Sequence, residues 1–274
     1  MNLIVNGLWL FCSLWPSLAD AGTEPEMVLA NAGLQNRETA KSTTEPTEAG
    51  EDIDARAVAE LKKMTAFLET CNTISIKTRT TWEAIQDSGM KLQFDAEQEI
   101  GIRRPNQLYS NTVRDDGKVT RLWYDRKTLT HLDVGKNTYA QLPVPETINE
   151  MLDYVLEKFD LPTPPMLDFL YSDAETSFLS GIESAVYVGE CTKSGTRCHH
   201  LAFSQADVDY QIWIPTTGRP LPVKYSISWK NQPHTPWFMA QFTEWNTSPS
   251  FSEEQFSFAK PAGSTKIEAP PATE

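Results

Sequence analysis

The chain has little of what metal sites and catalytic sites are made from. Its 274 residues include only four cysteines and four histidines, and it lacks the G-x-S-x-G motif that positions a nucleophilic serine. Positive charge is also scarce, because 24 Lys and Arg stand against 37 Asp and Glu, for a net charge of −13. That balance argues against a nucleic-acid surface. We therefore predict no nucleic-acid partner, no metal, no cofactor and no enzymatic activity.

The N-terminus has most features of an export signal but has no Lys or Arg before its apolar run. That run extends from Leu3 to Leu14 and is short for a membrane span. Ala19-Asp20-Ala21 matches a signal-peptidase site, so we predict that residues 1–21 are a signal peptide cleaved after Ala21. A retained N-terminal anchor and a cytoplasmic chain are the alternatives. A lipoprotein signal is disfavoured because bulky Phe11 precedes Cys12.

Residues 22–51 contain almost no large apolar side chains and are acidic. Such a segment cannot bury enough surface to offset the entropy of ordering it, so we predict a disordered acidic linker. Residues 52–268 suit a single domain, followed by a C-terminal tail at 269–274. We expect the protein to be a monomer.

Two cysteines flank a turn-forming run in the second half of the chain. If Ser194-Gly195 is a two-residue hairpin turn, Cys191 pairs with Cys198 across the strands. Hydrogen-bonded antiparallel partners lie about 5.5 Å apart at Cα, within the range that a disulfide requires. We predict a Cys191–Cys198 disulfide, which implies an oxidising compartment. Cys71 is expected to be a buried thiol, with an intermolecular bond as the alternative.

Residue periodicity predicts an α+β protein that is mainly β. Apolar residues recur at helical spacing from Asp52 to Leu68 and from Pro145 to Phe159, and Met166 to Tyr171 suggests a further short helix. Elsewhere apolar and polar residues alternate, as in Ile74 to Trp82 and Val208 to Ile214. Turn signals separate these segments, which favours an antiparallel meander with one buried face.

Several motifs resemble an uncharacterised family of predicted periplasmic bacterial proteins, over roughly residues 55 to 268. They are Arg104-Pro105-Asn106-Gln107-Leu108-Tyr109, Trp123-Tyr124-Asp125, Asp168-Phe169-Leu170-Tyr171, Cys198-His199-His200-Leu201-Ala202-Phe203, Gln211-Ile212-Trp213-Ile214 and Arg219-Pro220-Leu221-Pro222. That family is similar to the lipoprotein-carrier fold of LolA, LolB and RseB. The resemblance implies a periplasmic protein with a strongly curved antiparallel half-barrel sheet and helices packed on its concave side. It implies no catalytic residues.

The remaining polar clusters have ordinary structural explanations. His199 and His200 are adjacent on a strand, so they point to opposite faces and cannot bind one metal together. The haem motif C-x-x-C-H is absent, because Gly195 stands where its first cysteine belongs. Asp207 and Asp209 share a face, and an exposed sheet surface or loop explains them better than paired catalytic carboxylates do.

The resemblance and the apolar periodicity together suggest a concave hydrophobic cavity that binds a lipid, an acyl chain or a lipoprotein. The alternative function is an envelope sensor or adaptor that binds other proteins, as in RseB, and an enzyme comes third. The same side chains, together with the six tryptophans from Trp82 to Trp245, are also compatible with a solid core. The candidate lining residues are Met64, Met151, Leu152, Leu156, Phe159, Tyr210, Ile212, Tyr225 and Ile227.

Overall fold

The computed structural model describes residues 53–86, 88–158 and 165–269. Within these residues the protein is mainly β, with twelve strands in one open sheet and three short α-helices. The predicted signal peptide (1–21), the whole predicted linker (22–51), the first residue of the predicted domain (52–268) and most of the predicted tail (269–274) lie outside the described residues. No helix in the described ranges is long and apolar enough to cross a membrane.

The strands are β1 Thr73–Ile85, β2 Lys91–Arg103, β3 Gln107–Arg114, β4 Val119–Tyr124, β5 Thr128–Asp133, β6 Thr138–Pro143, β7 Ile182–Lys193, β8 Thr196–Gln205, β9 Val208–Pro215, β10 Lys224–Trp229, β11 Trp237–Asn246 and β12 Thr265–Lys266. The helices are α1 Ala55–Glu69, α2 Ile148–Lys158 and α3 Ala174–Leu179, with 3₁₀ turns at Leu167–Phe169 and Glu253–Phe256.

The sheet consists of two antiparallel meanders joined at its centre. The spatial order is β12-β6-β5-β4-β3-β2-β1-β11-β10-β9-β8-β7, so β1 pairs with β2 on one side and β11 on the other. The predicted antiparallel arrangement is confirmed for eleven strands. It is wrong at the edge, where β12 pairs with β6 in parallel. The chain reaches β12 from a segment that crosses the sheet, and it therefore enters in the same direction as β6.

The β7–β8 hairpin has the predicted register. Ser194 (φ 48°) and Gly195 (φ 80°) both have left-handed backbone conformations, as in the primed turns whose twist suits a two-residue hairpin. Lys193 therefore pairs with Thr196, and Cys191 pairs with Cys198. A bulge between Tyr187 and Gly189 interrupts the pairing further along β7.

The two long helices lie close to their predicted positions. The α1 helix begins at Ala55 because the carboxylate of Asp54 accepts hydrogen bonds from the N–H groups of Arg56 (2.7 Å) and Ala57 (3.4 Å). The prediction of a helix over Met166 to Tyr171 is wrong in extent, since only the 3₁₀ turn Leu167–Phe169 forms there. The six-residue α3 helix that follows was not predicted, because it is too short to show helical periodicity.

The C-terminal segment packs on one side of the β2–β6 strands. The Phe258 ring lies 5.3 Å from the Trp123 ring and 4.9 Å from the Tyr139 ring. Further upstream, Phe251 packs on Gly101, where a Cβ atom would lie only 3.2 Å from the ring. This aromatic cover is the reason that the chain returns to the far edge of the sheet to form β12.

Candidate functional site

One face of the sheet, here called the inner face, carries the main core. Direct cross-strand partners project from the same face, and β1 places Ile76 between Ile100 of β2 and Trp245 of β11. The inner-face residues belong to one apolar cluster together with side chains of α1, α2 and α3. The opposite, outer face carries the separate cluster around Trp123.

Strands β9 and β10 supply the predicted lining residues of the sheet. Tyr210 pairs with Ile227 and Ile212 pairs with Tyr225, so all four side chains project from the inner face. Each is buried, and Ile212 has no exposed surface. Burial raises the pKa of Tyr225 well above its usual value, with a further contribution from Asp168, so this phenol stays neutral.

The helices bring their predicted lining residues into the same cluster, to different depths. Met64 of α1 is completely buried, and Met151 and Leu152 of α2 are nearly so. Leu156, one turn further along α2, is only partly buried against the cluster. Phe159 lies outside the described residues.

Two aromatic residues of this site were not predicted. Phe169, in the 3₁₀ turn, lies 5.5 Å from Tyr225 and 5.3 Å from Phe242, in edge-to-face contacts. Phe178 of α3 lies 4.9 Å from Phe169, and its carbonyl accepts a hydrogen bond from Tyr210 Oη (2.8 Å). The sequence signal was the Asp168-Phe169-Leu170-Tyr171 motif, which indicated a family but not a contact.

Arg104 joins the helices to the sheet at one end of this face. Its Nη1 atom donates to the carbonyls of Leu68 (2.9 Å) and Cys71 (2.7 Å), and Nη2 donates to the carbonyl of Tyr171 (2.7 Å). The Leu68 carbonyl belongs to the last turn of α1, where carbonyl groups have no N–H donor within the helix. Burial lowers the pKa of Arg104, but a guanidinium stays charged at neutral pH. Two family motifs thus meet through this side chain.

Helix α2 is held to the same end by polar contacts. Tyr171 Oη donates to Asp153 (2.7 Å), and Asn149 both donates to Asp173 (2.7 Å) and accepts from the N–H of Ser172 (3.0 Å). Every one of these contacts lies in the N-terminal half of α2.

The start of α1 is attached to the edge of the sheet by a second set of polar contacts. The Arg56 guanidinium lies 3.7 Å from the centre of the Tyr187 ring, and Tyr187 Oη is 2.8 Å from His199 Nδ1. His199 Nε2 lies 3.8 Å from Glu60 of α1, whereas His200 stacks on Trp213 on the outer face, with ring centres 4.4 Å apart. The two histidines do point to opposite faces, as predicted.

Two buried titratable groups have shifted pKa values. Burial raises the pKa of Asp168 to about 6, against the opposing hydrogen bond that its carboxylate accepts from Ser177 Oγ (2.6 Å). Burial, reinforced by Lys118, lowers the pKa of His131 to about 4. His131 is therefore neutral at pH 7 and contributes polarity to the interior without charge.

The inner face includes more polar residues on strands β1 to β4. A straight row of buried polar residues crosses four strands there: Thr78 pairs with Gln98, Gln98 with Thr112, and Thr112 with Thr120. We call these four residues the polar row. On β11, the next residue in line with Thr78 is Phe242, so the row begins next to an aromatic residue of the inner face.

The remaining candidate residues do not form a reaction site. Asp207 and Asp209 are both exposed, and Asp209 accepts from Ser204 Oγ (2.7 Å) and lies 3.4 Å from Lys230 Nζ. Across residues 53–86, 88–158 and 165–269 there is no group of three or more His, Cys, Asp or Glu side chains arranged to hold a metal ion.

The three cysteines of the described residues are thiols in this structure. Cys71 is buried, as predicted, and its Sγ donates to the Phe67 carbonyl (3.4 Å). Cys198 is fully buried, and its Sγ lies 3.4 Å from the Thr196 carbonyl. The Cys191–Cys198 register is confirmed, while the disulfide itself stays a prediction.

Fold and site together define a mainly β protein with an open sheet whose inner face packs against short helices through one apolar cluster. The family profile described as "Predicted periplasmic protein (DUF2092)" matches residues 57–269. The chain belongs to that family, which confirms the family recognised from the sequence motifs. No curated protein matches the chain.

Solved structures give distant matches. The chain is similar to an uncharacterized conserved protein from Thermus thermophilus, with 10% identity, a TM-score of 0.43, and coverage of 78% of this chain and 99% of that one. It is also similar to the Mycobacterium tuberculosis lipoprotein LppX, with 14% identity, a TM-score of 0.43, and coverage of 72% and 98%. The Pseudomonas aeruginosa MucA/MucB complex gives 14% identity, a TM-score of 0.39, and coverage of 75% and 62%.

Proposed function

We propose that this chain is a non-enzymatic periplasmic protein that binds a lipid, an acyl chain or the lipid part of a lipoprotein between its helices and the inner face. The supporting observation is the apolar cluster shared by the helices and the inner face of the sheet. A half-barrel curvature, with the helices on the concave side, is part of this proposal. The family description supports the periplasmic location. A signal peptide cleaved after Ala21 is a further part of the proposal.

The burial of the cluster is uneven, and this supports one position for the ligand. Around α1, side chains such as Met64 and Ile212 are completely buried, so that part is a solid core. In the C-terminal half of α2, Leu156 is only partly buried against the cluster. Partly covered large apolar side chains are the usual lining of a site for an apolar ligand. The proposed ligand therefore enters beside the end of α2.

A protein adaptor is the second candidate, favoured by β7, which is an edge strand of the sheet in the described residues. Val186 is 49% exposed and Val188 is 53% exposed, and Ile53, which makes a single parallel bridge to this strand, is 53% exposed. An edge strand with exposed apolar side chains offers backbone hydrogen bonds and side-chain contacts to an extended partner segment. This surface is separate from the inner face.

The test introduces a charge into the proposed ligand entry. Leu156→Glu should weaken binding of a neutral probe, such as a pyrene-labelled fatty acid methyl ester, by at least roughly tenfold, because the apolar chain would have to desolvate a carboxylate. The partly exposed position should tolerate Glu in the free protein. At Leu152, which is 5% exposed, the same replacement should unfold the domain.

Val186→Glu is the matched control, since it adds the same charge at an exposed apolar position outside the inner face. It should leave probe affinity within twofold of wild type, while circular dichroism shows that both variants fold. Equal weakening by both variants would contradict the proposed site. If the wild-type protein binds no acyl probe and copurifies with no lipid, the carrier proposal falls and the adaptor at the β7 edge becomes the proposal to test.

A further inference from the structure

The polar row occupies the position where an ordinary core would have aliphatic side chains. Thr78, Gln98, Thr112 and Thr120 are 2%, 8%, 1% and 3% exposed. With neighbouring strands about 4.8 Å apart, the row extends for about 14 Å across the sheet. Next to it on the same face, Ile76 and Ile100 are apolar and buried. On the same face, Thr80, Ser110 and Arg114 are also buried, so the row is the part of a buried polar region that crosses four strands in line.

A buried polar group is unfavourable unless it is hydrogen-bonded. Gln98 Nε2 donates to Ser110 Oγ (3.3 Å), on the neighbouring strand. Thr78 Oγ1 has no hydrogen-bond partner, although it is completely enclosed. Valine has the same shape as threonine and would avoid this loss. The hydroxyl of Thr78 thus contributes nothing to the fold that a methyl group would not.

A bulge in β11 lies beside Thr78, between the aromatic and the polar parts of the inner face. The pairing of β1 with β11 shifts between Lys77 and Thr78, where Thr243 is the additional residue of a bulge. Thr243 Oγ1 donates to the Lys77 carbonyl (3.1 Å) and so fixes the bulge. Bulges of this kind reorient a neighbouring side chain and are common beside binding sites. Thr78 is held between Phe242 on one side and Gln98 on the other.

The charge around the row favours an uncharged ligand group. Oppositely charged side chains lie together beside the row: Arg114 of β3 pairs with Asp116, whose Oδ2 lies 2.6 Å from Arg114 Nη2, and Asp133, opposite Thr120 on β5, interacts with Lys118. The row itself contains only hydroxyl and amide groups, which suit an ester carbonyl or a ligand hydroxyl. The row therefore offers no positive charge to a phosphate or a free carboxylate.

We infer that the polar row binds the oxygen-bearing part of an amphiphilic ligand, with Thr78 Oγ1 donating a hydrogen bond to an ester carbonyl or hydroxyl oxygen. This inference rests on the proposed function and narrows its ligand class to neutral acyl esters such as acylglycerols. The acyl chain then lies over the apolar part of the inner face, and the ester group lies at the row. A plain hydrocarbon fills the apolar part and leaves Thr78 without a partner.

The experiment compares two probes with the same chain, a pyrene-labelled monoacylglycerol and a pyrene-labelled alkane, on wild type and Thr78→Val. The variant should bind the acylglycerol roughly five- to tenfold more weakly, the effect of one lost hydrogen bond, and the alkane within twofold of wild type. Its melting temperature should equal or exceed that of wild type, because an unsatisfied buried hydroxyl is removed. Thr81→Val, on the outer face of the same strand, is the control and should leave both affinities unchanged.

Each other result has a defined meaning. For Thr78→Val, an equal loss of affinity for both probes, no loss of affinity for either probe, or a clearly lower melting temperature would overturn the inference. Each of these results would leave the proposed function, the binding of an apolar ligand by the wild-type protein, standing. Wild-type protein that binds the alkane but not the acylglycerol would overturn it as well. Wild-type protein that binds neither probe would overturn both this inference and the proposed function.

Discussion

Arg104 is the side chain on which the attachment of the helices should depend most strongly. Arg104→Met keeps much of the aliphatic length but removes three hydrogen bonds, to the carbonyls of Leu68, Cys71 and Tyr171. A hydrogen bond from a charged donor contributes about 1.5–3 kcal/mol. The three are not additive, and the Leu68 carbonyl keeps the N–H of Cys71 as a donor. We therefore expect the free energy of unfolding to fall by about 3–4 kcal/mol.

The measurement is equilibrium urea unfolding followed by tryptophan fluorescence. Arg79→Met is the matched control, because Arg79 pairs with Glu97 on the outer face with both side chains at least 70% exposed, and such pairs contribute about 0–1 kcal/mol. Arg104→Lys should recover only part of the loss, since one ammonium cannot reproduce the guanidinium fork. A loss below about 1 kcal/mol for Arg104→Met would refute the assigned role.

Two further predictions concern stability. The pKa of Asp168 is raised to about 6 in the folded state. The favourable contribution of this carboxyl to stability is therefore complete below the unfolded pKa and is lost as the pH rises through about 6. Asp168→Asn can still accept a hydrogen bond from Ser177, so it should stabilise the protein by about 1–2 kcal/mol at pH 7 and by little at pH 4. Thermal melts at the two pH values test this, and equal gains at both would contradict it. Non-reducing peptide mapping after periplasmic expression should find Cys191 linked to Cys198. This bond closes an eight-residue loop and should stabilise the folded protein by about 2.5 kcal/mol. Recovery of both cysteines as free thiols would refute the disulfide.

Features determined by local sequence could be predicted. The β7–β8 register followed from the Ser194-Gly195 turn, and the inner-face residues of β9 and β10 followed from strict alternation. The α1 helix followed from apolar residues at helical spacing, and its N-cap, Asp54, is likewise close in sequence. Each of these depends on residues within a few positions of one another, where turn and capping preferences act directly.

Features determined by contacts between distant segments could not be predicted. Phe178 lies in a helix of six residues, which is too short for a periodic pattern. Arg104 was visible in a family motif, but its partners come from α1 and from the Tyr171 loop. The polar row shows the limit most clearly: the position of Thr78 on a strand face was readable, while its alignment with Gln98 depends on the register between strands.

The two candidate functions use different parts of the molecule, so one set of variants can separate them. An adaptor needs exposed surface, which the β7 edge supplies through Val186 and Val188. The polar row, by contrast, lies in the interior, away from the surface that a protein partner would contact. An interior serving only as a core would be more stable with valine at that position. The unsatisfied hydroxyl is therefore better explained by a ligand that enters the interior than by a partner bound at the edge, and the two sites can coexist in one protein.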